Sequence, residues 1–184
     1  MSLRVISGSA KGRILKSVPG DTTRPITDRV KESLFNIISR DVIDSNWWDM
    51  FGGTGAVGIE ALSRGATFCR FTDLNRAPID AIKFNLTATR LASRAEAKRA
   101  DAFSLLASHP DRAFHYIYVA PPQYQEMWSQ ALTNLDSNLE WLEEDGWAIA
   151  QIHPKEYKRL DFDKIIEFDQ RKYGSTLLVF YERK

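Results

Sequence analysis

The chain has 184 residues, 43% of them apolar and 27% charged, a balance that supports one well-buried domain and excludes wholesale disorder. Its single cysteine, Cys69, excludes an internal disulfide, and no Cys/His cluster offers a zinc site. The formal net charge is +1, yet residues 1–40 carry +5 and the remainder −4, so an anionic partner is expected at one end only.

In chain order, the first 25 residues read as short extended pieces, Arg4-Val5-Ile6 and Arg13-Ile14-Leu15, broken by Gly8, Gly12 and the Pro19-Gly20 turn. Asp28 is placed to cap a helix running to about Arg40, with Val30, Leu34, Phe35 and Ile38 on one face and basic residues elsewhere. Trp47–Phe51 reads as a short buried strand that enters Gly52-Gly53-Thr54-Gly55. A helix follows through Ile59 and Leu62, and Gly65 stops it. Thr67–Thr72 is the second strand and Arg76–Leu91 a helix. Ala95–Arg99 is a weak third strand and Phe114–Val119 a strong fourth one, ended by Pro121-Pro122. Tyr124–Asn138 reads as helix and Trp147–Ile152 as strand. Ile165–Asp169 and Thr176–Tyr181 form a closing hairpin around Tyr173-Gly174. The alternation of strand and helix predicts an α/β fold, a parallel sheet covered on both faces with an antiparallel edge.

No run of about 18 apolar residues is present to cross a membrane. The start, Met1-Ser2-Leu3-Arg4, lacks the apolar core of a secretory signal, so a cytoplasmic protein is expected.

Three segments are candidates for chemistry. In the first, Gly53-x-Gly55-x-x-Gly58 follows a strand and opens a helix, where bare amides accept an anion. Asp49 sits just before that loop, a poor neighbour for a pyrophosphate but a good one for an ammonium group. Asp73 ends the second strand, 18 residues after Gly55, where a carboxylate accepts ribose hydroxyls; Asp101 follows the third strand, where an adenine would lie. A ligand with ammonium, carboxylate, ribose and adenine is S-adenosylmethionine (SAM). A tight turn at the glycines, a loop-bracing Asp49 and solvated strand-end acids are the plainer alternatives. The second segment is Ala120-Pro121-Pro122-Gln123-Tyr124, where prolines leave carbonyls free for a substrate amine and an aromatic stacks on a base; a simple strand stop is the alternative. The third is the basic block around Arg24 and Arg29, a phosphate grip or a solvated helix face. His109, His115 and His153 are scattered, and Cys69 reads as a small core residue.

Four blocks in order resemble one family: Arg4–Arg13, Arg24–Asn36 (RPITDRVKESLFN), Asp49–Ala66 (DMFGGTGAVGIEALSRGA) and Lys172–Tyr181. Together they resemble the bacterial 16S rRNA guanine-N2 methyltransferases, the RsmD-like family, over nearly the whole chain. The resemblance implies a Rossmann-like class I methyltransferase sheet of seven strands, the last antiparallel. It also implies a short N-terminal β-hairpin arm (1–25) on a SAM-binding domain (26–184). It implies SAM as donor, held by Asp49, Phe51, Gly52, Gly53, Thr54, Gly55, Asp73, Leu74, Asp101 and Ala102. It implies as acceptor the N2 amine of a guanine, held at Ala120, Pro121, Pro122, Gln123 and Tyr124. RNA phosphates would be gripped by Arg4, Lys11, Arg13, Arg24 and Arg29. The expected partner is 16S rRNA or the small ribosomal subunit, with no metal and no membrane, and the protein a monomer.

The chain departs from the family pattern twice. Ala120 stands where Asp or Asn is usual, and Gln123 displaces the aromatic to Tyr124. Gln123 would then supply the missing oxygen, or backbone carbonyls alone would position the amine. A non-catalytic RNA-binding or assembly factor on the same fold, an amine methyltransferase acting on DNA or protein, and a nicotinamide dehydrogenase are the rival readings. Asp49 and the late position of the glycine loop weigh against the last.

Overall fold

A computed structural model describes residues 3–18 and 26–184. Among them are seven strands, β1 (Asn46–Asp49), β2 (Phe68–Asp73), β3 (Ala95–Arg99), β4 (Phe114–Val119), β5 (Leu142–Ile152), β6 (Ile165–Tyr173) and β7 (Thr176–Arg183). The α-helices are α1 (Asp28–Ile38), α2 (Ala56–Ser63), α3 (Arg76–Thr89), α4 (Ala102–Leu106) and α5 (Met127–Ser137). The strands form one sheet in the order β3-β2-β1-β4-β5-β7-β6. Pairing is parallel from β3 to β5, while β7 runs antiparallel to both β5 and β6. The expected antiparallel edge and the turn between Tyr173 and Thr176 are both present.

Successive side chains of a strand face opposite sides of the sheet, and the two adjacent tryptophans of β1 split between two cores. Trp47 stacks between Phe35 of α1 and Tyr116 of β4 in the core shared with α2 and α3. Trp48 packs on Phe114 and Trp141 in the core under α4 and α5. Buried Cys69 belongs to the first core, as expected. It also explains Gly58. A Cβ there would come within 2.3 Å of the Phe71 ring and 2.6 Å of Cys69 Sγ, so the bare backbone lets α2 lie close on β2.

Several boundaries differ from expectation. Thr27, not Asp28, caps α1, its hydroxyl accepting from the Val30 N–H. The helix ends at Ile38, and a 3-10 turn continues over Ser39–Val42. Lys31 lies on the buried face of α1 rather than among its solvated cations. Helix α5 begins at Met127, because Tyr124 and Glu126 both take left-handed backbone angles, φ +61° and +56°. Strand β5 begins five residues earlier than expected, at Leu142.

Residues 3–18 are bonded tightly to the body. They fold back through one antiparallel bridge, Arg4 to Ile14, flanked by the Val5 N–H to Arg13 carbonyl bond. Val5, Ala10 and Leu15 enter the first core. The loop between docks on α2, where the buried Glu60 carboxylate accepts from the Ile6 and Ser7 N–H groups at 2.8 and 2.9 Å. Ser63 Oγ accepts from the Ala10 N–H and donates to the Ser7 carbonyl. Gly8 is forced by this docking. Its φ is +83°, and a Cβ would lie 1.9 Å from the Ser63 carbonyl oxygen. Gly8→Ala is expected to lower stability by about 1–3 kcal/mol, read as a lower urea midpoint at unchanged slope.

Candidate active site at the carboxyl edge of the sheet

In an open parallel sheet, ligands bind beyond the carboxyl ends of the strands, where the order reverses. Here that point lies between β1 and β4. Two neighbouring cavities open there, of about 420 and 820 Å³. Phe51, Gly53, Ala120, Pro122 and Gln125 line both, so the two are parts of one cleft.

The smaller cavity holds Asp49 at the end of β1, beside the Gly52–Thr54 loop. Asp49 is 3% exposed. One oxygen accepts from the Gly58 N–H at 3.2 Å, so the loop-bracing role is real and leaves the carboxyl on the cleft wall. Burial pushes its pKa up to about 8, against the opposing effect of the Gly58 N–H. A cationic ligand group would repay the cost of ionising it. Gly55 precedes α2, whose first amides open toward this end of the cleft.

The larger cavity holds Asp73, Leu74, Asp101 and Ala102. Asp73 accepts from the Gly53 N–H at 3.2 Å and the Asn75 N–H at 2.9 Å, so it ties the glycine loop to the end of β2. Asp101 caps α4, accepting from the Phe103 N–H and the Ser104 hydroxyl. The three carboxylates therefore lie at the ends of three adjacent strands along one cleft. Of the ten sequence-predicted cofactor residues, only Gly55 is not on a cavity wall; it stands behind the loop at the start of α2. The donor set fits an elongated ligand, cationic at Asp49 and hydroxylated at Asp73. Among the described residues no group of His, Cys, Asp and Glu could hold a metal ion, and no helix is long and apolar enough to cross a membrane.

Ala120, Pro121, Pro122, Gln123 and Tyr124 all line the smaller cavity. Gln123 is exposed. Three further residues escaped the sequence reading. Buried Tyr118 and half-buried Gln151, on neighbouring strands β4 and β5, also line the cavity, and the Tyr118 hydroxyl donates to Gln151 Oε1. Burial holds the Tyr118 phenol well above its ordinary pKa, so it stays a donor. Glu156 reaches across from the β5–β6 loop to accept the Tyr124 N–H at 2.7 Å. The order of strands β4 and β5 and the convergence of the loops that follow them bring these residues together, and no local pattern announces it.

The predicted phosphate contacts are spread over the arm and α1. Lys11, Arg13 and Arg29 are exposed and, among the described residues, pair with no acid. Arg4 pairs with Asp28 at 3.0 Å in an exposed contact of little energetic weight. Arg24 lies outside the described residues.

This strand order, with β7 reversed and a glycine loop and acids at the carboxyl edge, defines a class I methyltransferase fold. A family profile described as "Conserved hypothetical protein 95" matches residues 3–182. A Bacillus subtilis protein named "Putative rRNA methyltransferase YlbH" is 39% identical over 185 residues, covering 99% of this chain and all of that one. Ribosomal RNA small subunit methyltransferase D of Escherichia coli K12 is 34% identical over 145 residues, 79% of this chain and 69% of that protein. The solved structure "Putative methyltransferase yhhF from Escherichia coli" superposes with a TM-score of 0.88 at 27% identity, covering 100% of this chain and 99% of that one. The chain belongs to this family, the RsmD-like methyltransferases that its four sequence blocks resemble.

Proposed function

We propose that the protein transfers a methyl group from SAM to the N2 amine of a guanine in small-subunit rRNA. The observation that carries the reading is the continuous cleft lined by Asp49 in its smaller part and Asp73 and Asp101 in its larger part, with Ala120–Tyr124 beside Asp49. Membership of the family and the rRNA methyltransferase names of its relatives support the substrate class.

When bound, SAM supplies an electrophilic methyl on a sulfonium. The chain's task is then to position the cofactor and the amine. Asp49 attracts the cationic amino-acid end, and the amides at Gly53–Gly55 and the start of α2 face its carboxylate. Asp73 takes ribose hydroxyls, while Asp101 and Ala102 border the adenine. Leu74 is 64% exposed and borders the same cavity, an apolar lip for the nucleoside.

At the acceptor end, the guanine amine lone pair is delocalised into the ring. Hydrogen-bond acceptors that favour a pyramidal nitrogen therefore speed attack. Pro121 and Pro122 have no N–H to occupy neighbouring carbonyls, which leaves the backbone after Ala120 to accept from the amine. Gln151, oriented by Tyr118, is the side-chain amide best fixed to assist, in preference to exposed Gln123. Tyr124 stacks on the base.

The arm, residues 1–25, and the body, 26–184, form one RNA-binding surface in this reading, with Lys11, Arg13 and Arg29 on phosphates. Tritiated SAM with unmodified small subunits and protein-free 16S rRNA tests it. Label on one guanine N2 is expected, and absence of label from both RNAs would sink the substrate assignment. Lys11→Ala and Arg13→Ala are each expected to reduce the slope of log affinity against log salt by about one. Filter binding across a salt series reads this, with SAM affinity unchanged.

A further inference from the structure

Two loops meet at the mouth of the cleft, residues 120–126 after β4 and 153–164 after β5. Among the described residues three contacts join them. Glu156 Oε1 accepts the Tyr124 N–H at 2.7 Å. Lys158 Nζ pairs with Glu126 Oε2 at 2.6 Å. The Tyr124 ring lies against His153, with centroids 5.8 Å apart and planes at 39°.

The second loop is itself braced. Glu156 Oε2 takes the His153 N–H at 3.1 Å, and His153 Nδ1 accepts from the Lys155 N–H at 3.1 Å. A local capping box uses only one carboxylate oxygen of Glu156. The other is spent on a residue 32 positions away in sequence. That residue, Tyr124, has φ +61°, a left-handed conformation that side-chain-bearing residues adopt at a cost. Yet the residue is 65% exposed. Its backbone is held firmly while the aromatic face stays open to a ligand. This combination yields little core stability and a well-oriented stacking surface on the cleft wall.

We propose that Glu156 is a positioning residue: through the Tyr124 amide it fixes the left-handed turn that presents the Tyr124 ring to the acceptor base, with His153 bracing the ring from the other loop. The inference rests on the reading of the acceptor as a nucleobase.

The test compares Glu156→Ala and Glu156→Gln in wild-type and Tyr124→Ala backgrounds. Glu156→Ala is expected to lower kcat/KM for rRNA by tenfold or more, chiefly through KM, with SAM affinity within twofold of wild type. Gln retains an acceptor oxygen and is expected to restore kcat/KM to within about threefold. In the Tyr124→Ala background Glu156→Ala is expected to add less than twofold, since both changes remove one function. Hydrogen exchange of the Tyr124 amide supplies a readout independent of turnover and is expected to accelerate tenfold or more in Glu156→Ala. Full multiplication of the two losses, unchanged exchange, or a parallel fall in SAM affinity would each overturn the proposal. If the wild-type protein transfers no methyl to rRNA, the substrate reading and the base-stacking role fall together. Accelerated exchange would then still establish the clasp between the loops.

Discussion

Glu60→Ala is expected to destabilise the fold by about 3–5 kcal/mol, the range for removing one partner of a buried charge network. For a chain of this size that corresponds to a fall in melting temperature on the order of 10 °C. Glu60 is fully buried and serves four donors: the Ile6 and Ser7 N–H groups, Arg64 Nε at 2.8 Å, and Lys31 Nζ at 3.5 Å. Lys31 is also fully buried and donates to the Arg4 carbonyl at 2.5 Å. Desolvation already lowers the Lys31 pKa, and Glu60 is the main influence opposing it. Without Glu60, a buried ammonium loses its counter-charge and two arm amides lose their acceptor.

A second variant separates these causes. Lys31→Met with Glu60→Leu removes both charges, and a well-packed apolar pair recovers most of an ion pair's cost. It still leaves the Ile6 and Ser7 amides unsatisfied, at about 1–3 kcal/mol each. The double variant is therefore expected to melt above Glu60→Ala and below wild type, with faster amide exchange confined to residues 6–10. A double variant as stable as wild type would reduce the network to a simple ion pair. A Glu60→Ala loss under 1 kcal/mol would mean that the arm is held by its apolar residues alone.

The same network marks where the sequence stops being informative. Lys31 reads as one more cation on an amphipathic helix, because its partner stands 29 residues further on, in another helix. Strand β4, Phe114–Val119, matches its expected bounds because a run of strand formers ended by breakers is a local signal, and strand β3, Ala95–Arg99, matches too although its Ala, Glu and Lys are poor strand formers. The three acids are legible for a related reason: Asp49 and Asp73 end their strands, Asp101 follows its strand closely, and parallel strands put their ends on one edge. The residues that complete the proposed acceptor end are not legible in the sequence. Tyr118 meets Gln151 only because β4 neighbours β5, and Glu156 meets Tyr124 only because two loops converge above them. Tyr124 itself was expected to open a helix. The two prolines before it and its left-handed turn place it in the loop, where its ring faces the cleft.

Asp49→Asn is expected to weaken SAM binding at least thirtyfold, about 2 kcal/mol or more, because it removes one member of a desolvated charge pair. The wild-type carboxyl, with a pKa near 8 in the free protein, is mostly protonated at pH 7. Ionisation costs the free fold stability. The native state binds more protons than the unfolded chain between about pH 4 and pH 8, so stability falls as pH rises through that window. A bound ammonium or sulfonium reverses the balance, so binding should expel the proton. Calorimetry at pH 6.5 in buffers of different ionisation enthalpy is expected to give close to one proton released per SAM. Affinity is expected to rise with pH between 6.0 and 7.5. The Asn variant is expected to release none and to bind with a flat pH profile over that range. Equal proton release by both proteins would place the titrating group elsewhere. A flat wild-type profile would mean that Asp49 serves only as the brace for Gly58.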